Sequence, residues 1–283
     1  MRWLGGRESG NIEDRRGLGP VGVGGLGVGG VVLALIGYFV FGIDPSTTMS
    51  AVQGAQPQAE QQGGFRGQPK DEAGRFVDVV STSVDDVWTA IFKQQGQTYR
   101  PPAAIVLYDQ ATGTGCGLGQ SAMGPFYCPQ DQKVYLDLSF WDELAQRFGA
   151  QGEAARAYVI AHEIGHHVQN LTNQTDRAER MGARGAESGS VRLELQADCY
   201  AGVWAAHAAE VSGGQVALDP KDIEDGLRAA SAVGDDTLQK ETQGRVVPDA
   251  FTHGTSAQRM RWFRAGVESG DPASCDTFQA ARL

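Results

Sequence analysis

Three of the five histidines fall within Ala161-His162-Glu163-Ile164-Gly165-His166-His167. On a helix His162 and His166 stand one turn apart on the same face, so both imidazoles can reach one metal ion. Glu163 lies beside that face, where its carboxylate can act as general base on a metal-held water without being a ligand. A solvated polar face would be the plainer explanation of such a cluster. It accounts poorly for Ala154, Ala155, Tyr158, Val159 and Ile160, which lead into the histidines as a buried helix would. A catalytic zinc takes three protein ligands and keeps one position open, so a third ligand must come from elsewhere in the chain.

The continuation H-E-x-x-H-x-x-G-x-x-H fails, because His166 is followed by His167-Val168-Gln169-Asn170-Leu171-Thr172. What does follow is Leu193-Glu194-Leu195-Gln196-Ala197-Asp198 on a second predicted helix. Glu194 and Asp198 share a face there, so Glu194 can bind the metal while Asp198 accepts a hydrogen bond from a ligand imidazole and fixes its tautomer. His167 points about 100° away from His166 on a helix, which suits packing or support better than ligation. His253 precedes a capped helix start. It is either a helix-entry residue or a donor to the oxyanion formed when water attacks a carbonyl, with Tyr200 as its rival for that task. His207 reads as an ordinary residue of a helix surface.

His162-Glu163-x-x-His166 followed by Glu194-x-x-Ala197-Asp198 resembles the glutamate zincins. The chain is more closely similar to a bacterial family of neutral zinc metallopeptidases. That similarity runs over nearly the whole length. It includes Met1-Arg2-Trp3, Glu13-Asp14-Arg15-Arg16-Gly17, Gly124 to Pro129, Tyr135-Leu136-Asp137, the histidine helix, Glu194 to Trp204, and His253-Gly254-Thr255-Ser256-x-Gln258-Arg259. The resemblance implies a membrane-anchored peptidase holding one Zn2+ through His162, His166 and Glu194, with Glu163 as catalyst. In such enzymes a substrate commonly pairs with an exposed strand before the metal helix, and Lys133 to Leu138 is the candidate here. The rival class is a catalytically silent zincin-fold protein of the cell envelope, kept for assembly or binding. Hydrolysis of a non-peptide amide would use the same residues.

The elements that must position these groups are legible in outline. Val84, Val87, Trp88, Ile91 and Phe92 follow helical spacing behind a candidate N-cap at Ser83. Ala103 to Tyr108 and Lys133 to Leu138 read as strands. Helices are expected over Trp141 to Phe148, Glu153 to Gln169, Ser190 to Glu210, Pro220 to Val233 and Ser256 to Val267. Asp219-Pro220 and the Thr255-x-x-Gln258 capping box support the last two starts. Strands first and helices after predict an α+β fold, a zincin-like domain with a small sheet followed by helices.

Residues 17 to 43 carry no charge and end in an apolar run, long enough to cross a bilayer. Arg2, Arg7, Arg15 and Arg16 precede it, and the next basic residue is Arg66. The expectation is therefore a short cytoplasmic segment (1–18), one transmembrane helix (19–43) in the lipid bilayer, a flexible Gln/Gly/Pro-rich linker (44–75) and an extracytoplasmic catalytic domain (76–283). A cleaved secretory signal is the alternative. Its partners would be peptides or proteins of the envelope. The chain carries net charge -10, and residues 1–75 hold seven charges of each sign, so the whole deficit lies in 76–283. Nucleic acid is an unsuitable partner for so acidic a body.

Four cysteines in an exported domain suggest disulfides, with buried free thiols as the alternative. Three pairings are open. Cys116 and Cys128 flank a Gly-rich turn and are near enough to staple it, which would leave Cys199 for Cys275 at the C-terminal tail.

Overall fold

The computed structural model describes residues 1–17, 64–149 and 152–283. A five-stranded sheet forms from β1 (Ile12–Asp14), β2 (Phe65–Arg66), β3 (Ala104–Tyr108), β6 (Phe126–Cys128) and β7 (Lys133–Asp137), in the order β2-β1-β3-β7-β6. β1, β3 and β7 run parallel, with the short antiparallel β2 and β6 at the two edges. Alternation along the strands sends Ile12, Ile105, Leu107, Val134 and Leu136 toward the helices. It sends Ala104, Val106, Tyr108, Cys128 and Tyr135 to the opposite face. Against that outer face lies a hairpin of β4 (Ala111–Thr114) and β5 (Gly117–Gln120). Its turn is tied to β6 by the disulfide Cys116–Cys128.

The inner face is covered by α1 (Glu72–Gln94) and α3 (Glu153–Leu171), and α5 (Gly189–Val211) packs against both helices. Around them stand α2 (Phe140–Phe148), α4 (Gln174–Glu179), α6 (Pro220–Ala232), α7 (Asp235–Gln243) and α8 (Ser256–Ser269). Asp219 and Thr255 form the capping boxes that start α6 and α8. The expected α+β arrangement, a small sheet with helices after it, is present.

Several expectations are redrawn. Ser83 is not an N-cap: α1 begins eleven residues earlier behind Asp71, whose carboxylate accepts from the Gly74 amide, and Ser83 lies mid-helix accepting from the Trp204 indole. The boundary at 76 therefore falls inside a helix. Lys133 to Leu138 is not an exposed edge, because β7 lies between β3 and β6. Residues 1–17 are not a separate segment. β1 pairs with β3, Trp3 is buried against Phe76, and the Asp78 carboxylate accepts from the Ser9 and Gly10 amides.

The proposed span 19–43 and most of the proposed linker lie outside the described residues. Among the described residues no helix is long and apolar enough to cross a membrane. β1 and β3 are neighbours in one sheet. A single crossing with the N-terminus alone inside would separate β1 from β3.

Candidate metal centre

The histidine helix α3 is rich in Ala and apolar residues, contains no proline, and buries most of its length. At Gly165 it passes so close to α5 that an added Cβ would lie 3.3 Å from the Ala197 Cα. This close crossing sets Glu194 opposite the two imidazoles. His162 Nε2 lies 3.2 Å from Glu194 Oε2 and His166 Nε2 lies 3.4 Å from Glu194 Oε1. One potential ligand atom from each residue falls within 4.8 Å of the others. Two imidazole nitrogens and a carboxylate oxygen are a donor set that zinc accepts, with room for an open position.

The far nitrogens of both rings are engaged, which leaves the Nε2 atoms to face Glu194. His162 Nδ1 is 2.8 Å from Asp198 Oδ1. Asp198 is fully buried and also accepts from the Tyr158 hydroxyl and, at 2.8 Å each, from Arg259 Nε and Nη2. Arg259 comes from α8, which crosses α5 closely: a Cβ on Gly266 would meet the Cys199 carbonyl at 2.0 Å. His166 Nδ1 is 2.8 Å from Gln169 Oε1.

These surroundings set the charge states. Burial alone would lower the His162 pKa, but Asp198 and then Glu194 outweigh it and raise it to about 10. Burial would raise Glu194 and Asp198. His166, with His253, holds Glu194 well below the usual carboxylate range, and Arg259 holds Asp198 below it. A metal must therefore displace a proton at His162. Glu163 is different. It is 7% exposed, and burial pushes its carboxyl above the ordinary value despite the neighbouring imidazoles.

A cavity of about 500 Å³ opens over these groups, lined by His162, Glu163, His166, Glu194, Arg259 and His253 together with Met123, Phe126, Phe140 and Leu238. His253 is at its rim with its side chain 47% exposed. Its Nδ1 is 3.2 Å from Asp235 Oδ1, while Asp235 Oδ2 accepts from the backbone amides of Thr252, His253 and Gly254. That carboxylate anchors the loop and holds the His253 pKa up against burial, with Glu194 contributing more.

Tyr200, the rival of His253, does not line this cavity; it is buried with its ring edge-on to Trp88. His167 is buried away from the three candidate ligands, its Nε2 donating to the Arg100 carbonyl and its Nδ1 accepting from the Tyr127 hydroxyl. His207 bonds the Gly270 carbonyl far along α5. Sequence reasoning missed Arg259, Tyr158, Gln169 and Asp235 as supports. Only Arg259 left a trace, at the end of the His253 to Arg259 run. Both disulfides, Cys116–Cys128 and Cys199–Cys275, are present. The first joins a hairpin turn to the neighbouring strand rather than closing one turn.

Comparison with known proteins identifies the family of the chain. A family profile described as "Putative neutral zinc metallopeptidase" matches residues 1–278, and the chain belongs to that family. The uncharacterized protein YpfJ of Escherichia coli (strain K12) is 47% identical over 295 residues, covering 98% of this chain and 99% of that one. The uncharacterized protein Rv2575 of Mycobacterium tuberculosis (strain ATCC 25618 / H37Rv) is 50% identical over 223 residues, 75% of this chain and 74% of its own. No solved structure matches.

Proposed function

We propose that this protein is a zinc-dependent peptidase with a glutamate-zincin site: His162, His166 and Glu194 hold the metal and Glu163 is the catalytic base. The observation that carries the reading is the convergence of three ligand atoms within 4.8 Å beside a buried carboxylate at the floor of a cleft. The family description, which names a zinc peptidase, supports it independently. A zinc ion held there would supply Lewis acidity toward the scissile carbonyl and lower the pKa of a coordinated water.

Glu163 then takes the proton of the attacking water and later delivers it to the leaving amine. Its raised pKa suits both halves of that exchange. His253, steadied by Asp235, stands at the cleft rim and donates to the developing oxyanion. An extended substrate would add to the sheet at β6, the edge strand whose Phe126 and Tyr127 line the cleft.

The two disulfides suit an oxidising, extracytoplasmic compartment. Substrates would then be peptides or proteins of the envelope. Contact with a bilayer through residues 19–43 is part of this reading, with both flanks on one side. Compartment reporters placed at the N-terminus and C-terminus should agree, and opposite results would reject that arrangement.

The central test is cleavage of an unbiased peptide library by the full chain, with and without a chelator, for wild type and Glu163→Gln. Chelator-sensitive cleavage should fall about 10²- to 10⁴-fold in the variant while zinc content is unchanged. Equal cleavage by both would remove Glu163 as base. No cleavage by zinc-loaded wild type would favour a silent binding protein.

A further inference from the structure

The two imidazoles are supported by unlike partners. Behind His162 stands an anion, Asp198. Behind His166 stands a neutral amide, Gln169, itself wholly buried. Gln169 Nε2 donates to the Leu193 carbonyl at 2.7 Å and to Gln196 Oε1 at 3.1 Å. Gln196 Nε2 in turn donates to the Cys275 carbonyl at 3.1 Å. Cys275 is held to α5 by its disulfide with Cys199.

The direction of this chain is dictated by its ends. A backbone carbonyl only accepts, so the Gln196 amide must turn its NH2 toward Cys275 and its oxygen toward Gln169. The Gln169 NH2 then spends its two hydrogens on Gln196 and on the Leu193 carbonyl. Its oxygen is what remains for His166, and an oxygen can only accept, so His166 Nδ1 must carry the hydrogen. The lone pair is left on Nε2, the nitrogen that faces Glu194 at 3.4 Å. Leu193 is the residue before Glu194, so one side chain braces both a ligand ring and the backbone next to another ligand.

We infer that Gln169 and Gln196 form a directed amide relay, ending on the disulfide-held Cys275 carbonyl, that positions His166 and commits its Nε2 to the metal. The inference rests on the reading of His162, His166 and Glu194 as metal ligands. Gln169 and Gln196 are positioning residues; neither is needed to touch substrate.

The test is zinc affinity, measured by competition with a chromophoric chelator, together with nitrogen-15 spectra of the zinc-loaded full chain in which the His166 signals are identified. Wild type should show zinc on Nε2 and an exchange-protected proton on Nδ1. Gln169→Met, close in size but without the amide, should lose that protection and bind zinc about 10- to 100-fold more weakly. Gln169→Glu keeps the acceptor and should retain the Nδ1 proton, with an affinity nearer wild type than the Met variant has. Unchanged affinity and protection in Gln169→Met would overturn the relay. So would equal losses in the Met and Glu variants, since a merely structural role predicts them. Wild type that binds no zinc would overturn the metal reading, and the relay with it.

Discussion

Two of the buried charge clusters among the described residues differ in what they leave over. On the outer face of the sheet, Glu13 accepts from Arg15, Arg66 and Lys133, so a lone carboxylate is surrounded by three cations. Every charge there already has a partner. At the cleft, Asp198 is satisfied by Arg259, Tyr158 and His162, yet His162, His166 and Glu194 turn their potential ligand atoms toward one another. Such a set needs a cation at its centre, the proton on His162 or a metal ion that replaces it, whereas a saturated cluster needs nothing further. Burial and charge density alone do not distinguish a site from a brace; the direction of the unused donors and acceptors does.

The sharpest way to break this comparison is to remove one cation from each cluster. Arg259→Leu takes one bond from Asp198 Oδ2 and one from Oδ1 of a fully buried carboxylate that keeps Tyr158 and His162, and should cost about 3 to 5 kcal/mol in denaturant unfolding. Lys133→Met leaves Glu13 with Arg15 and Arg66 and should cost only about 1.5 kcal/mol. Equal costs would mean that the clusters are braced alike.

Each cluster also has its own disulfide. Cys199–Cys275 joins residues 76 apart and holds the helix of Glu194, while Cys116–Cys128 joins residues 12 apart on the outer face. Loop-closure entropy predicts losses of about 4.5 and about 3 kcal/mol on removing the first and the second pair by serine replacement. Only the first should also weaken zinc retention. Metal analysis after selective replacement checks this, and zinc loss from the Cys116/Cys128 variant instead would reverse the assignment.

The smallest effect is in the pH dependence of melting. Glu13, Asp198 and Glu194 all titrate below their ordinary range, so both clusters stabilise the fold above it and lose that contribution as acid protonates them. An alkaline limb belongs to the cleft alone. His162 is raised from 6.5 to about 10, so its contribution is complete below about 6.5 and lost as pH rises through about 10. Metal-free protein should therefore melt progressively lower across that window. Zinc-loaded protein, whose His162 must be neutral, should show a flatter profile. Identical profiles with and without zinc would detach His162 from the metal.

What could be read in advance was local in the chain. His162, Glu163 and His166 are related by one helical turn, and Glu194 with Asp198 by another, so spacing alone assigns each set to a common face. The long helices α3, α5, α6 and α8 announced themselves through apolar periodicity and capping boxes. β1, β4, β5 and β6 did not, because strands of three or four residues, two of them glycine-containing, carry too little alternation to register. Lys133 to Leu138 was legible as a strand but not as an interior one, since strand order depends on pairings with residues far away in sequence.

The sequence by itself determined the chemistry available: which residues can bind a metal, which can move a proton, and which helices present them. Only the tertiary structure decided how those residues are aimed. Gly165 lets α5 approach α3, Gly266 lets α8 approach α5, and through these crossings Arg259 reaches Asp198 and Gln169 reaches Gln196. The N-terminal segment likewise joins the sheet by pairing β1 with a strand about ninety residues away. Helical spacing is a property of a few consecutive residues, but hydrogen-bond direction at a buried site depends on acceptors supplied by distant turns of the chain, and those meet only when the helices have packed.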